Sequence, residues 1–116
     1  MLNFNEIPEI YLACGFTDLR KSIDGYASII QDTLGINPMK NAMFIFCNKQ
    51  KDKIKILYWD KDGFWLLYKR LEESKFKWPK KKEDLKMINK KQLEWLLEGL
   101  SIEQKSYHKE VKRELC

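Results

Sequence analysis

The sequence predicts an α+β fold, in which an antiparallel β-meander of about four to five strands has helices packed on one face. Short β-rich runs separated by polar turns follow one another through the middle of the chain. Helical periodicity appears before and after them. Hydrophobic residues make up 44% of the chain, which is enough to fill one core. The order of strand, helix, meander and helix therefore favours an open sheet partly covered by helices.

The first strand is predicted from the apolar residues 11–14, which end at Gly15. Thr17 follows as a candidate N-cap, and Gly35 is placed to end the helix. Between them, apolar side chains recur at spacings of three and four, which is the pattern of an amphipathic helix. These residues are Leu19, Ile23, Tyr26, Ala27, Ile30 and Leu34.

Two hairpins are predicted next. Residues 42–47 and 53–59 are rich in β-forming side chains, and the polar loop 48–52 separates them. The turn 60–63 follows, where Gly63 is suited to a positive φ, and it leads into a strand over 64–71.

The chain after the second hairpin predicts a further short strand and a second helix. Residues 76–78 are a candidate strand that Pro79 ends. Asn89 followed by Gln92 predicts a capped helix that ends near Gly99. We expect residues 1–102 to form a single compact α+β domain and residues 103–116 to form a charged C-terminal extension.

Composition narrows the functional classes. Lys and Arg number 22 against 17 Asp and Glu, so the formal net charge of +5 favours a polyanionic partner such as DNA. The first residues lack the pattern of a signal peptide, and no run reaches the roughly 18 apolar residues of a membrane helix, so we expect a cytoplasmic protein that contacts no membrane. The cysteines, Cys14, Cys47 and Cys116, form no C-x-x-C pair, and we expect two buried thiols and one thiol in the tail.

One face of the second hairpin combines cations with aromatic rings. If the turn pairs Trp59 with Phe64, strand alternation places Ile54, Ile56, Tyr58, Trp65, Leu67 and Leu71 on a core face. The opposite face then carries the predicted nucleic-acid-binding residues, in which basic groups neutralise phosphates and rings stack on bases. These are Lys53, Lys55, Trp59, Phe64, Tyr68 and Arg70.

The alternative for this face is structural. In that case Trp59 and Phe64 pack under another layer, and the lysines only protect a sheet edge from aggregation. Other lysines extend the basic track if the face binds nucleic acid; they are Lys49, Lys51, Lys61, Lys69, Lys75 and Lys77. The basic run 80–82 after Pro79 is a candidate phosphate contact, although such runs are typical of solvated loops.

A second candidate site lies at the predicted start of the first helix. Thr17, Arg20 and Lys21 place two cations where backbone N–H groups are free, which favours a bound phosphate or carboxylate. The alternative is that Asp18 and Asp24 pair with these cations and no anion is needed.

The sequence does not predict an enzyme. Asp60 and Asp62 lie in a turn that favours Asp for backbone reasons, so they are poor candidates for a two-metal centre. His108, the one histidine, lies in the polar tail without a cysteine cluster nearby. No glycine pattern of a nucleotide-binding loop occurs. We therefore expect no catalytic residue, no metal and no cofactor.

Several segments in the same order resemble a known family. They are residues 11–25 (YLACGFTDLRKSIDG), 52–64 (DKIKILYWDKDGF), 68–72 (YKRLE) and 76–79 (FKWP). Across residues 7–100 the chain resembles the TnpB proteins, the products of the second open reading frame in insertion sequences of family sixty-six. Cys47 departs from the pattern of its strand, and the tail after Ile102 has no counterpart in it.

The resemblance implies a protein encoded beside a separate transposase and needed for efficient transposition. Together with the basic and aromatic face, it predicts a non-catalytic accessory protein that binds DNA. The alternative is an adaptor that docks on the transposase or on the companion accessory protein of the same element, without direct DNA contact. The sequence does not predict an oligomeric state.

Overall fold

The computed structural model describes residues 9–103, so most of the predicted tail, with His108 and Cys116, lies outside the described residues. Its helices are α1 (Ile23–Ser28), which continues into the π-helical segment Ile29–Thr33, and α2 (Lys90–Leu97). Its strands are β1 (Glu9–Ala13), β2 (Ala42–Cys47), β3 (Lys53–Asp60), β4 (Gly63–Arg70) and β5 (Leu85–Ile88). No helix in this part of the chain is long and apolar enough to cross a membrane.

The five strands form one open sheet in the order β4-β3-β2-β1-β5. β1 and β2 run parallel because α1 connects them as a crossover, and every other neighbouring pair is antiparallel. The α+β class and a mostly antiparallel sheet are thus confirmed. The fifth strand is β5, whereas residues 76–78 are irregular and bury Phe76 and Trp78 instead.

Helices cover both faces of the sheet, which differs from the expected single covered face. Along β2, Phe44 and Phe46 pack against α1, and we call this side the α1 face. Met43 and Ile45 point to the other side and join the core that contains residues of α2, and we call this side the α2 face. The physical reason lies in β2 itself, because its six residues are all buried and a strand that is apolar on both sides needs cover on both sides.

α1 begins later than the sequence predicts. Its first residue is Ile23 and its N-cap is Ser22, so the segment around Thr17 precedes the helix. Gly15 takes a φ of +80° and turns the chain out of β1, after which the Thr17 N–H donates a 2.8 Å hydrogen bond to the Cys47 carbonyl. The expected anion site at a helix start therefore lacks its helix.

The second helix agrees with prediction, and the structure supplies the hairpin register that the assignment of faces takes as its condition. Trp59 pairs with Phe64, and it is Lys61, with a φ of +55°, that takes the left-handed conformation in the turn rather than Gly63. Asn89 and Gln92 form the reciprocal capping box of α2. Gly99 follows the helix with a φ of +81°, the usual stop signal.

Candidate nucleic-acid interface

Residues from both sites predicted from sequence meet in one groove on the α1 face. The groove has a volume of about 820 Å³ and lies between the segment after β1, the β2–β3 loop and the β3–β4 hairpin. We call it the aromatic groove. It is lined by Phe16, Thr17, Asp18, Leu19, Arg20, Asn48, Lys49, Gln50, Lys53, Lys55, Leu66 and Tyr68.

The first wall is held by its own hydrogen bonds. The Asp18 carboxylate accepts from the Arg20 backbone N–H at 3.0 Å and from the Arg20 guanidinium at 2.8 Å. These bonds hold the pKa of the Asp18 carboxyl well below its usual range. The hydroxyl of Tyr26 in α1 donates to the Asp18 carbonyl at 3.2 Å, which fixes the segment to the helix. The Arg20 side chain nevertheless remains 91% exposed, so its other N–H donors face solvent.

The second wall comes from strand pairing. Lys55 lies directly opposite Tyr68, so the two side chains are neighbours on the α1 face. Tyr68 is 53% exposed because β4 is the edge strand. The Lys55 ammonium lies 5.8 Å from the centroid of the Tyr26 ring, which is a cation–π distance. Among the described residues Lys55 has no carboxylate partner.

The β2–β3 loop forms the end of the groove. The Asn48 amide donates to the Asp52 carboxylate at 2.7 Å, and its oxygen accepts from the backbone N–H groups of Asp52 and Lys53. The bond from Asn48 lowers the pKa of the Asp52 carboxyl. Lys53 also pairs with Asp52, at 3.2 Å. The loop is therefore a fixed platform that presents Lys49 to the groove.

The structure separates the predicted residues into two groups. Those that line the aromatic groove are Thr17, Arg20, Lys53, Lys55 and Tyr68, whereas Lys21, Trp59, Phe64 and Arg70 do not line it. The rings of Trp59 and Phe64 pack edge to face with centroids 5.0 Å apart, and Phe64 joins the core under α1. Arg70 pairs with Glu72 at 2.7 Å.

Two aromatic residues differ from the sequence-based assignment. Phe16 is 53% exposed and lines the groove, although the sequence predicts only its neighbours as site residues. The signal for it is an aromatic ring between a turn glycine and a pair of cations. Trp65, expected in the core, is 43% exposed and does not join the core on the α2 face. The Trp65 indole donates to Asp60 at 3.1 Å instead.

The chemistry of the groove is that of binding. Its exposed rings, Phe16 and Tyr68, stand beside the cations Lys49, Lys55 and Arg20. Cations hold anionic groups, and a flat ring offers a surface for stacking. Among residues 9–103 no group of three or more His, Cys, Asp or Glu side chains could hold a metal ion.

Comparison with known proteins identifies relatives over most of the chain. The chain is 30% identical to the uncharacterized protein y4hO of Sinorhizobium fredii over 100 residues, which cover 86% of this chain and 87% of that protein. It is 29% identical to the uncharacterized protein y4jC of the same organism over 91 residues, 78% of each chain. No solved structure matches the chain.

The family comparison agrees with the resemblance read from the motifs. The family model described as IS66 Orf2 like protein matches residues 8–107. This range includes the whole sheet, both helices and both walls of the aromatic groove. A match to this family supports the assignment of the chain as an accessory protein of an insertion sequence. The chain therefore belongs to the IS66 Orf2-like family.

Proposed function

We propose that this protein is a non-catalytic accessory protein of transposition that binds single-stranded DNA in the aromatic groove. The observation that carries the proposal is the side-by-side placement of Lys55 and Tyr68, a cation without a carboxylate partner among the described residues next to a half-exposed ring. Phe16 supplies a second exposed ring on the facing wall. A groove with rings on both walls suits bases that are not paired with a second strand.

The proposed contacts divide between backbone and bases. Lys49, Lys55 and the exposed side of Arg20 neutralise phosphates, and each contact releases counterions. Phe16 and Tyr68 stack on splayed bases, each for about 1–3 kcal/mol, without reading a particular sequence. Thr17 and Lys53 also line this surface. The partners of the protein are then DNA and, within the same element, the transposase and its companion accessory protein in the cytoplasm.

The second candidate is a protein adaptor that docks on the transposase or on the companion accessory protein without touching DNA. The observation in its favour is the apolar part of the same groove, where Leu19 and Leu66 lie with the exposed Phe16 and Tyr68. Exposed rings with a polar rim are typical of protein interfaces. Salt separates the two candidates, because phosphate contacts weaken steeply with salt whereas apolar docking does not.

The test is fluorescence anisotropy with labelled oligothymidine, comparing Tyr68→Ala and Lys55→Glu with the parent. Each substitution should weaken binding by about tenfold, since one stacked base or one phosphate contact is lost. Tyr68→Phe keeps the ring and should bind like the parent. Trp65→Ala is the matched control, because Trp65 is also an exposed ring but lies outside the groove. Equal binding by the parent, Tyr68→Ala and Lys55→Glu would remove the proposal.

A further inference from the structure

A second groove concentrates positive charge on the other side of the sheet. It has a volume of about 790 Å³, and we call it the lysine groove. Six lysines and two glutamates, Glu83 and Glu103, line it. The lysines are Lys51, Lys75, Lys77, Lys80, Lys82 and Lys86.

These lysine charges are not neutralised within the described part of the chain. None of the six forms an ion pair among residues 9–103, although Glu83 and Glu103 lie in the same groove. In the aromatic groove, by contrast, Arg20 and Lys53 each pair with a neighbouring aspartate. A cluster of like charges raises the free energy of the folded chain unless a counter-charge binds. The lysine groove is therefore suited to an external anion that is itself multiply charged.

Four of the six lysines lie on residues 75–82, a segment that is fixed although it has little regular structure. The Phe76 N–H donates to the Lys51 carbonyl at 2.7 Å, and the Gly15 N–H donates to the Pro79 carbonyl at 3.3 Å. The Trp78 indole donates to the Ala13 carbonyl at 3.0 Å. The lysine stems thus project from an ordered backbone, so binding does not have to order the chain itself.

We propose that the lysine groove is a second DNA-binding surface, which holds a phosphodiester backbone and does not read or stack bases. Its two aromatic residues, Phe76 and Trp78, are buried, so it offers no free ring. Lysine is a flexible point charge that suits phosphates, and it is depleted in protein–protein interfaces, so the composition favours nucleic acid over an acidic protein. Backbone contacts without rings suit duplex DNA.

The two grooves meet at the β2–β3 loop. Lys51 lines the lysine groove, and its ammonium lies 5.9 Å from the centroid of the Phe16 ring, which lines the aromatic groove. This inference rests on the proposed function, because it names the same partner. It extends that function to DNA with a single-stranded part in the aromatic groove and a duplex part in the lysine groove.

The test measures how duplex binding depends on salt in the full chain. In the double variant Lys80→Gln/Lys82→Gln, the log–log salt slope for duplex should fall by about 2, and duplex affinity at low salt should fall about tenfold. The matched control, Lys61→Gln/Lys81→Gln, removes the same charge from residues that line neither groove. Lys81 pairs with Asp84 at 3.7 Å, so its charge already has a partner. The control should keep the parental slope.

The outcomes separate this inference from the proposed function. Tyr68→Ala should weaken the binding of a short oligothymidine and leave the salt slope of duplex binding unchanged. Lys80→Gln/Lys82→Gln should lower the duplex slope and leave oligothymidine binding unchanged. If the salt slope of duplex binding is unchanged in Lys80→Gln/Lys82→Gln, or falls equally in the control, the lysine groove does not bind duplex DNA. This conclusion stands even if Tyr68→Ala weakens oligothymidine binding as expected. Duplex binding that does not depend on salt and that an acidic peptide displaces would also overturn the proposal for the lysine groove. Thermal melting confirms that the exposed substitutions leave the fold intact.

Discussion

The backbone N–H of Thr17 donates a 2.8 Å hydrogen bond to the carbonyl of Cys47, the last residue of β2. This bond holds the segment after β1 against the end of a central strand. Together with the bond from the Tyr26 hydroxyl to the Asp18 carbonyl, it places Phe16 and Arg20 across one groove from Lys55 and Tyr68, although they are far apart in sequence. Part of the predicted anion site and part of the predicted nucleic-acid face are therefore two walls of the same surface.

Removing the Thr17 donor should open the aromatic groove. Thr17→Pro lacks the N–H, so we expect a loss of about 1–2 kcal/mol in the free energy of unfolding and weaker oligothymidine binding. Thr17→Ala keeps the N–H and should retain both properties. Urea unfolding and anisotropy measure the two effects. Parental affinity in a folded Thr17→Pro variant would show that the wall does not contribute to binding.

The Asn48 side chain should be the main support of the β2–β3 loop. Its amide bonds to Asp52 and accepts from two backbone N–H groups, so Asn48→Ala should lower the free energy of unfolding by about 1–3 kcal/mol. Gln50→Ala is the control, because Gln50 is exposed and only accepts a 3.2 Å bond from Asn48. Similar urea midpoints for the two variants would contradict this assignment.

Cys47 should make the fold sensitive to alkaline pH. Burial raises the pKa of the Cys47 thiol to about 12, above its usual value in an unfolded chain. Because the pKa is raised in the folded state, the protonated thiol contributes fully to the free energy of unfolding below the unfolded pKa near 9. This contribution is lost as the pH rises towards 12, by about 1 kcal/mol at pH 10.

The check is thermal melting of the parent and Cys47→Ala between neutral pH and pH 10.5. The variant starts less stable because a buried atom is removed, but its melting temperature should fall less steeply above pH 9. Parallel curves for the two proteins would mean that the Cys47 thiol does not titrate between folded and unfolded states as the structure implies.

The capping box of α2 provides a stability change that should leave binding intact. Asn89→Ala removes the 2.8 Å bond from the Gln92 N–H and should cost about 1 kcal/mol. Because α2 covers the α2 face, oligothymidine affinity should remain parental. A joint loss of stability and affinity would indicate that binding simply follows global stability.

The start of α2 and, once Trp59 pairs with Phe64, the two faces of the hairpin follow from local chemistry. The turn at residues 60–63 pairs Trp59 with Phe64, and Asn89 and Gln92 cap each other within one helical turn. β5 was missed because it has four residues, one of them Lys86, and forms only by pairing with β1. Such pairing between distant segments leaves little local signal.

The site was predictable in part for the same reason. The placement of Lys55 and Tyr68 on one face follows from strand alternation, which is visible in the sequence. The position of Phe16 depends on the tertiary bond between Thr17 and Cys47. The helix starts later than the sequence predicts because this bond uses the Thr17 N–H and residues 19–20 form a turn before the N-cap Ser22. The continuous apolar run of β2 was the available sign that both faces are covered.

Binding in the aromatic groove is tested most directly by an amide NMR titration of the isotope-labelled protein with oligothymidine. We expect saturable shifts at Phe16, Lys49, Lys55 and Tyr68, reversed by raising the salt, while Trp65 stays unchanged. Shifts absent at low salt, or confined to residues outside the aromatic groove, would contradict it.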